Sequence, residues 1–461
     1  MTQSASSPYP IRPIGEDELD SFLRTDEYAF HGSPPSESDR RIQLDRFEFD
    51  RTLVAFDGAT PVGTTMCYSF QLSVPGLQVL PAAGVTFVAV LPTHRRRGIL
   101  SSLMRRQLSD VRDRGEPLAV LWASESVIYS RYGYGRASWY LGYTLRRGEG
   151  TLSRAALALT PVTSGPAGDG LRLRLAEPDA ALPELAKVYD AIAPTRPGFF
   201  ARSDAWWRSV IYDPAEDRHG DSPLRCLLAE DASGPRGYAL YAGVDTWTGF
   251  LPENVLTVHE LMAADPAASA ALCTDLLSRD LTTEFRLPRR PVDDPLLYQL
   301  ADPRRTRPKL NDNLWVRIVD LPRALAGRRY SCPVDVVLEV RDEILPANAG
   351  RWRLSTTTEA PGGGLAASCV PASSPADLAL DVAQLGAAYL GGTRLGALAG
   401  SGLVAELRPG ATRQLSAALA WDPAPWRLGG GGQPPPSGVG RQDLVPHLED
   451  HVHRAGVPAA G

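Results

Sequence analysis

Val88-Ala89-Val90-Leu91-Pro92-Thr93-His94-Arg95-Arg96-Arg97-Gly98-Ile99-Leu100-Ser101 passes from a strand pattern through a basic, glycine-containing turn into a helical pattern. Upstream, Val85-Thr86-Phe87-Val88-Ala89-Val90 reads as a buried strand, rich in β-branched and aromatic residues. Downstream, Leu100, Leu103, Met104, Leu108 and Val111 share one face and predict a helix from Gly98 to Arg114. A strand–turn–helix junction of this kind leaves backbone N–H groups unpaired at the positive end of the helix dipole, which suits a phosphate. Gly98 lets a ligand approach the backbone, and the arginines offer charge-assisted hydrogen bonds. A solvated basic turn capping a helix fits the same residues. The turn is not a P-loop, because the Lys-Ser/Thr ending is missing. His94 is expected to assist or cap it.

Working outward, Ile11-Arg12-Pro13-Ile14 reads as a short strand and Glu16 to Phe22 as a helix opening. Thr52–Phe56 and Val62–Phe70 read as strands joined at Asp57-Gly58. Leu118–Trp122 is a further strand, and a short helix containing Tyr129 follows. This alternation predicts an α/β (α+β) layer over residues 1–150. A Thr/Pro/Ser/Gly/Ala stretch, Thr160 to Gly170, reads as a linker inside a second region, 151–305. That region has a similar order of elements (strand at Leu171–Leu175, helix at Leu182–Ala191, strands at Arg225–Ala229, Gly237–Ala242 and Val255–Val258, helix at Ala267–Arg279) but no second glycine-rich loop. Asn313–Asp320 opens a third region, 306–428, with a strand at Asp335–Arg341. A Gly/Pro-rich tail, 429–461, is expected to be flexible and carries a weak amphipathic segment, Leu444 to Val452.

Composition narrows the function classes. A chain of 461 residues with 43% hydrophobic and 22% charged residues is globular and too long for one core. No apolar run approaches the ~20 residues of a membrane span. A net charge of −5 argues against a nucleic-acid binder and mildly favours cationic substrates. Five scattered cysteines form neither a disulfide framework nor a zinc pattern, and the N-terminus lacks a secretory signal, so a cytoplasmic location is expected. His447, His451 and His453 lie together in the tail, but no clear third ligand type joins them, so no metal is expected.

A second motif, Ile128-Tyr129-Ser130-Arg131-Tyr132-Gly133-Tyr134-Gly135, supplies a phenol with an ordinary pKa near 10, a suitable donor to a departing thiolate. Tyr132 and Tyr134 read better as packing residues. The basic turn resembles the Arg/Gln-x-x-Gly-x-Gly/Ala turn of the GNAT acetyltransferases, with Leu100 where Gly or Ala is usual. The tyrosine motif resembles the segment that closes a GNAT core. With Ala123-Ser124-Glu125, Asn313-Leu314-Trp315-Val316-Arg317 and Pro346-Ala347-Asn348-Ala349-Gly350-Arg351-Trp352, the chain resembles the Eis (enhanced intracellular survival) N-acetyltransferases of actinobacteria over residues 8–426.

The resemblance implies two tandem GNAT-like domains, the second without a working cofactor loop, then a sterol-carrier-protein-like domain. It implies a homohexamer, a trimer of dimers, that moves acetyl groups from acetyl-CoA to amines of aminoglycosides, polyamines or protein lysines. Cofactor contacts then fall on Val88, Ala89, Val90, Arg96, Arg97, Gly98, Ile99, Leu100, Ser101, Ser124 and Glu125, with Tyr129 as proton donor. In this family the chain's terminal carboxylate serves as base shortly after a Pro-Trp pair. Here Pro425-Trp426-Arg427-Leu428 is followed by 33 more residues, so the corresponding group would be Gly461, on a tail spanning roughly 30 Å. A water relay, Glu125, or removal of the tail are the alternatives. The acidic run Glu16, Asp17, Glu18, Asp26 and Glu27 would rim the acceptor site, with Phe22, Tyr28 and Phe30 nearby. A coenzyme A or lipid-binding protein without turnover is the competing function, and a protein-interaction module tethered by the tail a third.

Overall fold

The computed structural model describes residues 8–159, 170–218, 220–359 and 363–428. In its first part, β1 (Ile11–Arg12), β2 (Thr52–Asp57), β3 (Thr60–Val74), β4 (Gln78–Val90), β5 (Leu118–Leu121) and β6 (Gly135–Arg136) alternate with α1 (Leu19–Phe30), α2 (Glu37–Leu44), α3 (Ile99–Asp113) and α4 (Ser126–Tyr129). The helix read from Glu16 begins as a 3₁₀ turn and continues as α1 to Phe30, beyond the expected Phe22.

Strand alternation distributes the helices over two faces of the sheet. Val54 and Phe56 pack with Leu19 and Phe22 of α1, whereas Leu53 and Ala55 pack with Ile99 and Leu103 of α3. The buried face of α3 carries Leu103, Met104, Leu108 and Val111, as its periodicity predicts.

The second part contributes β7 (Trp139–Arg146), β8 (Arg172–Ala176), β9 (Arg225–Asp231), β10 (Gly234–Val244), β11 (Trp247–Thr248), β12 (Leu251–Pro252), β13 (Asn254–Ala263), β14 (Thr282–Pro291), β15 (Lys309–Asp312) and β16 (Trp315–Ile318). Sheet membership cuts across the chain. The first sheet is ordered β1-β2-β3-β4-β5-β16-β6, and the second β15-β7-β14-β13-β10-β9-β8. Thus β7 leaves the first unit for the second sheet. Asn313–Asp320, read from sequence as the opening of a third region, instead closes the first sheet through β16, which pairs with both β5 and β6.

The third sheet, β19 (Leu365–Pro371), β18 (Gly350–Glu359), β17 (Asp335–Arg341), β20 (Leu378–Asp381), β21 (Val404–Glu406) in that order, docks onto the first through the helix Val382–Ala388. The approach is close. A Cβ at Gly135 would lie 1.9 Å from the Ala383 carbonyl oxygen, and one at Gly386 would lie 2.4 Å from that of Val316. Arg317, fully buried, pairs with Asp342 at 2.7 and 2.8 Å. Asn348 donates to the carbonyls of Ile318 and Val319 and accepts from the Leu321 amide. The motifs around Arg317 and Asn348 therefore join two units of structure.

Candidate active site

β4 and β5 pair only at Ala82–Gly84 with Leu118–Val120, and β4 then runs on to Val90 without a partner on that side. The gap opens a cleft of about 570 Å³, part of it open to solvent, walled by Phe87, Val88, Trp122, Ser124 and Tyr129. A β-bulge sits at its edge: Met66 faces Thr86 but Thr64 faces Ala89, so the bulged strand has an extra residue. Phe87 takes a left-handed φ of 50° there, and Thr64 donates from Oγ1 to its carbonyl at 2.9 Å. Nothing in residue type signals this kink, because a phenylalanine rarely adopts positive φ.

At the far end of β4 the basic turn enters α3. Arg96 (φ 63°) and Gly98 (φ 81°) are left-handed, and Gly98 caps the helix. The Ser102 amide bonds the Gly98 carbonyl at 3.0 Å, whereas the amides of Gly98, Ile99, Leu100 and Ser101 have no partner among the described residues. Unpaired amides at a helix start beside an exposed arginine fit a pyrophosphate.

The side chains divide. Arg96 is exposed and unpaired among the described residues. Arg97 is turned aside, donating to Tyr9 Oη at 3.0 Å and the Thr93 carbonyl at 3.1 Å. The Ile99 side chain is in the core, so only its amide is available. Leu100 packs against the buried cluster that holds Met104 and Tyr129. Ser101 Oγ lies 3.1 Å from Tyr132 Oη, tying this turn to the tyrosine motif. His94 bridges Thr93 Oγ1 (2.8 Å) and Asp57 Oδ2 (3.1 Å), pinning the turn to the β2–β3 hairpin. Of Val88, Ala89 and Val90, Val88 lines the cleft, while the Ala89 side chain is buried and Val90 packs toward Ile99.

Tyr129 reaches the cleft from the last turn of α4, 5% exposed. Burial pushes its phenol up to about 12, opposed by a hydrogen bond with Ser124 and reinforced by the Glu125 charge. The ordinary value near 10 expected from sequence is thus corrected upward, and the phenol stays protonated through the physiological range. Glu125 is exposed and precedes α4 as its N-cap residue. Tyr132 and Tyr134 are both buried; Tyr134 stands edge-on to Tyr129 at 6.0 Å. Cys67 is also buried, its thiol pushed up to about 12 by desolvation.

The opposite wall is assembled from distant segments that no spacing pattern links. Phe30 comes from α1, Tyr68 and Phe70 from β3, Phe200 from the second part, and Arg427 from the end of the described chain. Phe70 and Phe200 stack at 4.3 Å. Trp122 Nε1 donates to Asn313 Oδ1 at 2.7 Å, and Asn313 Nδ2 donates to the Arg427 carbonyl at 3.0 Å. Asp26 lies one helical turn from both Phe22 and Phe30 on α1. Burial, with Glu27 beside it, raises its carboxyl to about 7, and its Oδ1 has no hydrogen-bond partner among the described residues. Among the described residues, no His/Cys/Asp/Glu group is arranged to hold a metal. Gly461 and His447, His451 and His453 lie outside the described residues.

Comparison with known proteins gives the same outline. Acetyltransferase (GNAT) domain profiles match residues 10–137 and 198–318, and a sterol carrier protein domain profile matches 321–428. The chain is 43% identical over 420 residues to an uncharacterized N-acetyltransferase of Streptomyces coelicolor, covering 90% of this chain and 98% of that one. It is 33% identical over 381 residues to the N-acetyltransferase Eis of Mycobacterium tuberculosis, covering 81% and 87%. The chain belongs to the Eis family of GNAT N-acetyltransferases. The crystal structure of Eis1 from Mycobacterium abscessus, also 33% identical, superposes on this Eis-family chain with a TM-score of 0.76 over 91% of it and 99% of Eis1. Two GNAT units and a sterol-carrier-like unit make up the Eis-family architecture seen here, and GNAT domains take acetyl-CoA as co-substrate. No helix among the described residues is long and apolar enough to cross a membrane.

Proposed function

We propose that this acetyltransferase moves the acetyl group of acetyl-CoA onto an acceptor amine by direct attack. The observation that carries the reading is the Tyr129 phenol, protonated and hydrogen-bonded to Ser124, in the gap where β4 and β5 part. Acetyl-CoA supplies the activated thioester. Arg96 and the amides of Gly98–Ser101 hold its phosphates, Arg97 shapes the turn, and the backbone of Val88–Val90 faces the pantetheine. Amides beside the Phe87 bulge polarise the thioester carbonyl. The acceptor nitrogen bonds to the carbonyl carbon, the C–S bond breaks, and Tyr129 gives its proton to the departing sulfur. The state of Cys67 supports direct transfer, since a thiol held protonated by burial is a poor acyl carrier.

Two carboxylates are offered as the base that takes the ammonium proton: the terminal group of Gly461, and Asp26, whose raised carboxyl is tuned close to neutral pH. Glu125 or a water relay is the fallback. The acidic groups of α1 support an acceptor that arrives as an ammonium ion, the class that includes aminoglycosides, polyamines and protein lysines. A lipid-binding function is less well supported. The groove on the third sheet's unit is an open one lined by Arg394, Glu406, Thr412, Arg413 and Ser416 with Gly396, Ala399, Gly410 and Ala417, and it has no large apolar side chain to pack a sterol. The exposed hairpin residues Trp247, Phe250 (99% exposed) and Leu251 support an assembly that covers them, and light scattering is expected to give six chains of 49.7 kDa.

The test is thiol release from acetyl-CoA with an amine panel, using full-length protein, a chain ending at Leu428, and Asp26→Asn. A base at Gly461 makes the truncation slow, whereas a base at Asp26 makes the substitution slow. Tyr129→Phe is expected to lose most of the rate in every background. Binding of acetyl-CoA with no turnover of any amine would return the coenzyme A-binding reading.

A further inference from the structure

The acceptor wall of the cleft carries positive charge that no carboxylate among the described residues pairs with. Arg427 lines the cleft, and its guanidinium lies over Trp122 at 4.6 Å and Phe200 at 4.8 Å. Arg289 lies over the same Trp122 ring at 5.3 Å. Both are half-buried. Among the described residues, neither guanidinium has a carboxylate partner or a side-chain hydrogen bond. Burial and their mutual repulsion push Arg427 down to about 10. Arg328, fully buried, is held by the carbonyls of Tyr389 and Leu419, and three other interior arginines have carboxylate partners. Arg202 pairs with Glu260, Arg290 with Asp294 and Arg317 with Asp342. Two neighbouring unpaired cations in a low-dielectric wall are unfavourable unless an anion completes them.

The surrounding chemistry says where that anion comes from. The cleft lining includes Ser124, Tyr129 and Arg427 but none of the turn residues 95–101, which follow the end of β4. Coenzyme A phosphates bound at that turn are therefore not the partners of Arg289 and Arg427. Arg427 lines the cleft together with Phe30, Phe70, Phe200 and Trp122, and Arg289 stands beside it over the Trp122 ring. We propose that Arg289 and Arg427 bind a carboxylate carried by the acceptor, so that the amine acetylated belongs to a zwitterion with an aromatic or apolar body. A guanidinium stacked on an indole keeps its N–H edge free for a carboxylate, while the aromatic walls take the body of the molecule. This rests on the acetyltransferase reading and narrows the acceptor from amines in general to amino-acid-like amines.

The experiment compares matched pairs with the full-length enzyme: phenylalanine against phenethylamine, tyrosine against tyramine, lysine against cadaverine. The expected result is at least a tenfold higher kcat/KM for the carboxylate-bearing member of the aromatic pairs, expressed mainly in KM. Phenylacetate, a carboxylate without an amine, is expected to compete with the acceptor and not with acetyl-CoA. Arg289→Gln and Arg427→Gln should each lower the acid-to-amine ratio of kcat/KM at least tenfold, with Arg427→Lys keeping part of the preference. Equal or better use of the decarboxylated amines, or no inhibition of the wild-type chain by phenylacetate, overturns the proposal while leaving acetyl transfer intact. Failure of every amine, with or without a carboxylate, overturns the parent reading instead.

Discussion

Tyr129 and Asp26 show how burial sets the chemistry of single residues. The same desolvation that keeps the Tyr129 phenol protonated removes any competition from its own ionised form, so its removal should act on the chemical step. Tyr129→Phe is expected to lower kcat by about 10²–10⁴-fold with little change in acetyl-CoA affinity, measured by thiol release and by equilibrium binding. For Asp26, the folded carboxyl titrates near 7, above its unfolded value of 3.8, so the native state binds the proton more tightly. Its cost to stability is absent below pH about 4, grows through the interval, and is complete above about 7. Asp26→Asn should therefore stabilise the fold at pH 8, on the order of 1–3 kcal/mol, and by only about a quarter as much at pH 4.5. Thermal unfolding at the two pH values reads this out, and an equal Tm shift at both would refute it.

At the scale of elements, the decisive feature is where two strands stop pairing. β4 is long enough to run past β5, and the bulge at Phe87 turns its edge into the gap. The sequence made the strand, the turn and α3 legible, because β-branched content, glycine and helical periodicity are local signals. It made Gly98 and Tyr129 legible for the same reason. The bulge was not legible, since a register shift is a property of two strands and not of one. Contact between elements also explains glycines that the sequence left without a role. Gly135→Ala would drive a methyl group into the Ala383 carbonyl and the backbone of Ala387. A loss of about 2–4 kcal/mol is expected, read by denaturant unfolding, because backbone on both sides cannot move aside cheaply.

Across the whole molecule, Arg317 links the first sheet to the unit that follows it. It is fully buried and held by Asp342, which also accepts from Asn348 Nδ2 at 3.0 Å and from the Leu345 amide at 2.9 Å. Removing one partner strands the other as an unpaired buried charge. Arg317→Met is expected to cost about 3–5 kcal/mol, whereas Arg317→Met with Asp342→Leu should recover much of it. If the double variant is as unstable as the single, the charge pair is not the origin of the loss. Because β16 also borders β6 and β5, the single variant should weaken acetyl-CoA binding before the chain unfolds globally, detectable as a rise in KM on warming.

The sequence alone determined the basic strand–turn–helix junction, the phenol, the α/β layering and the family, since each rests on residues adjacent in the chain whose chemistry or periodicity is self-contained. Tertiary structure alone decided that β7 and β16 change sheets, that Asp26 is held near neutral pH, and that Arg289 and Arg427 meet on Trp122. These depend on burial and on contacts between segments up to hundreds of residues apart, and the energy of a buried charge is set by what surrounds it in space.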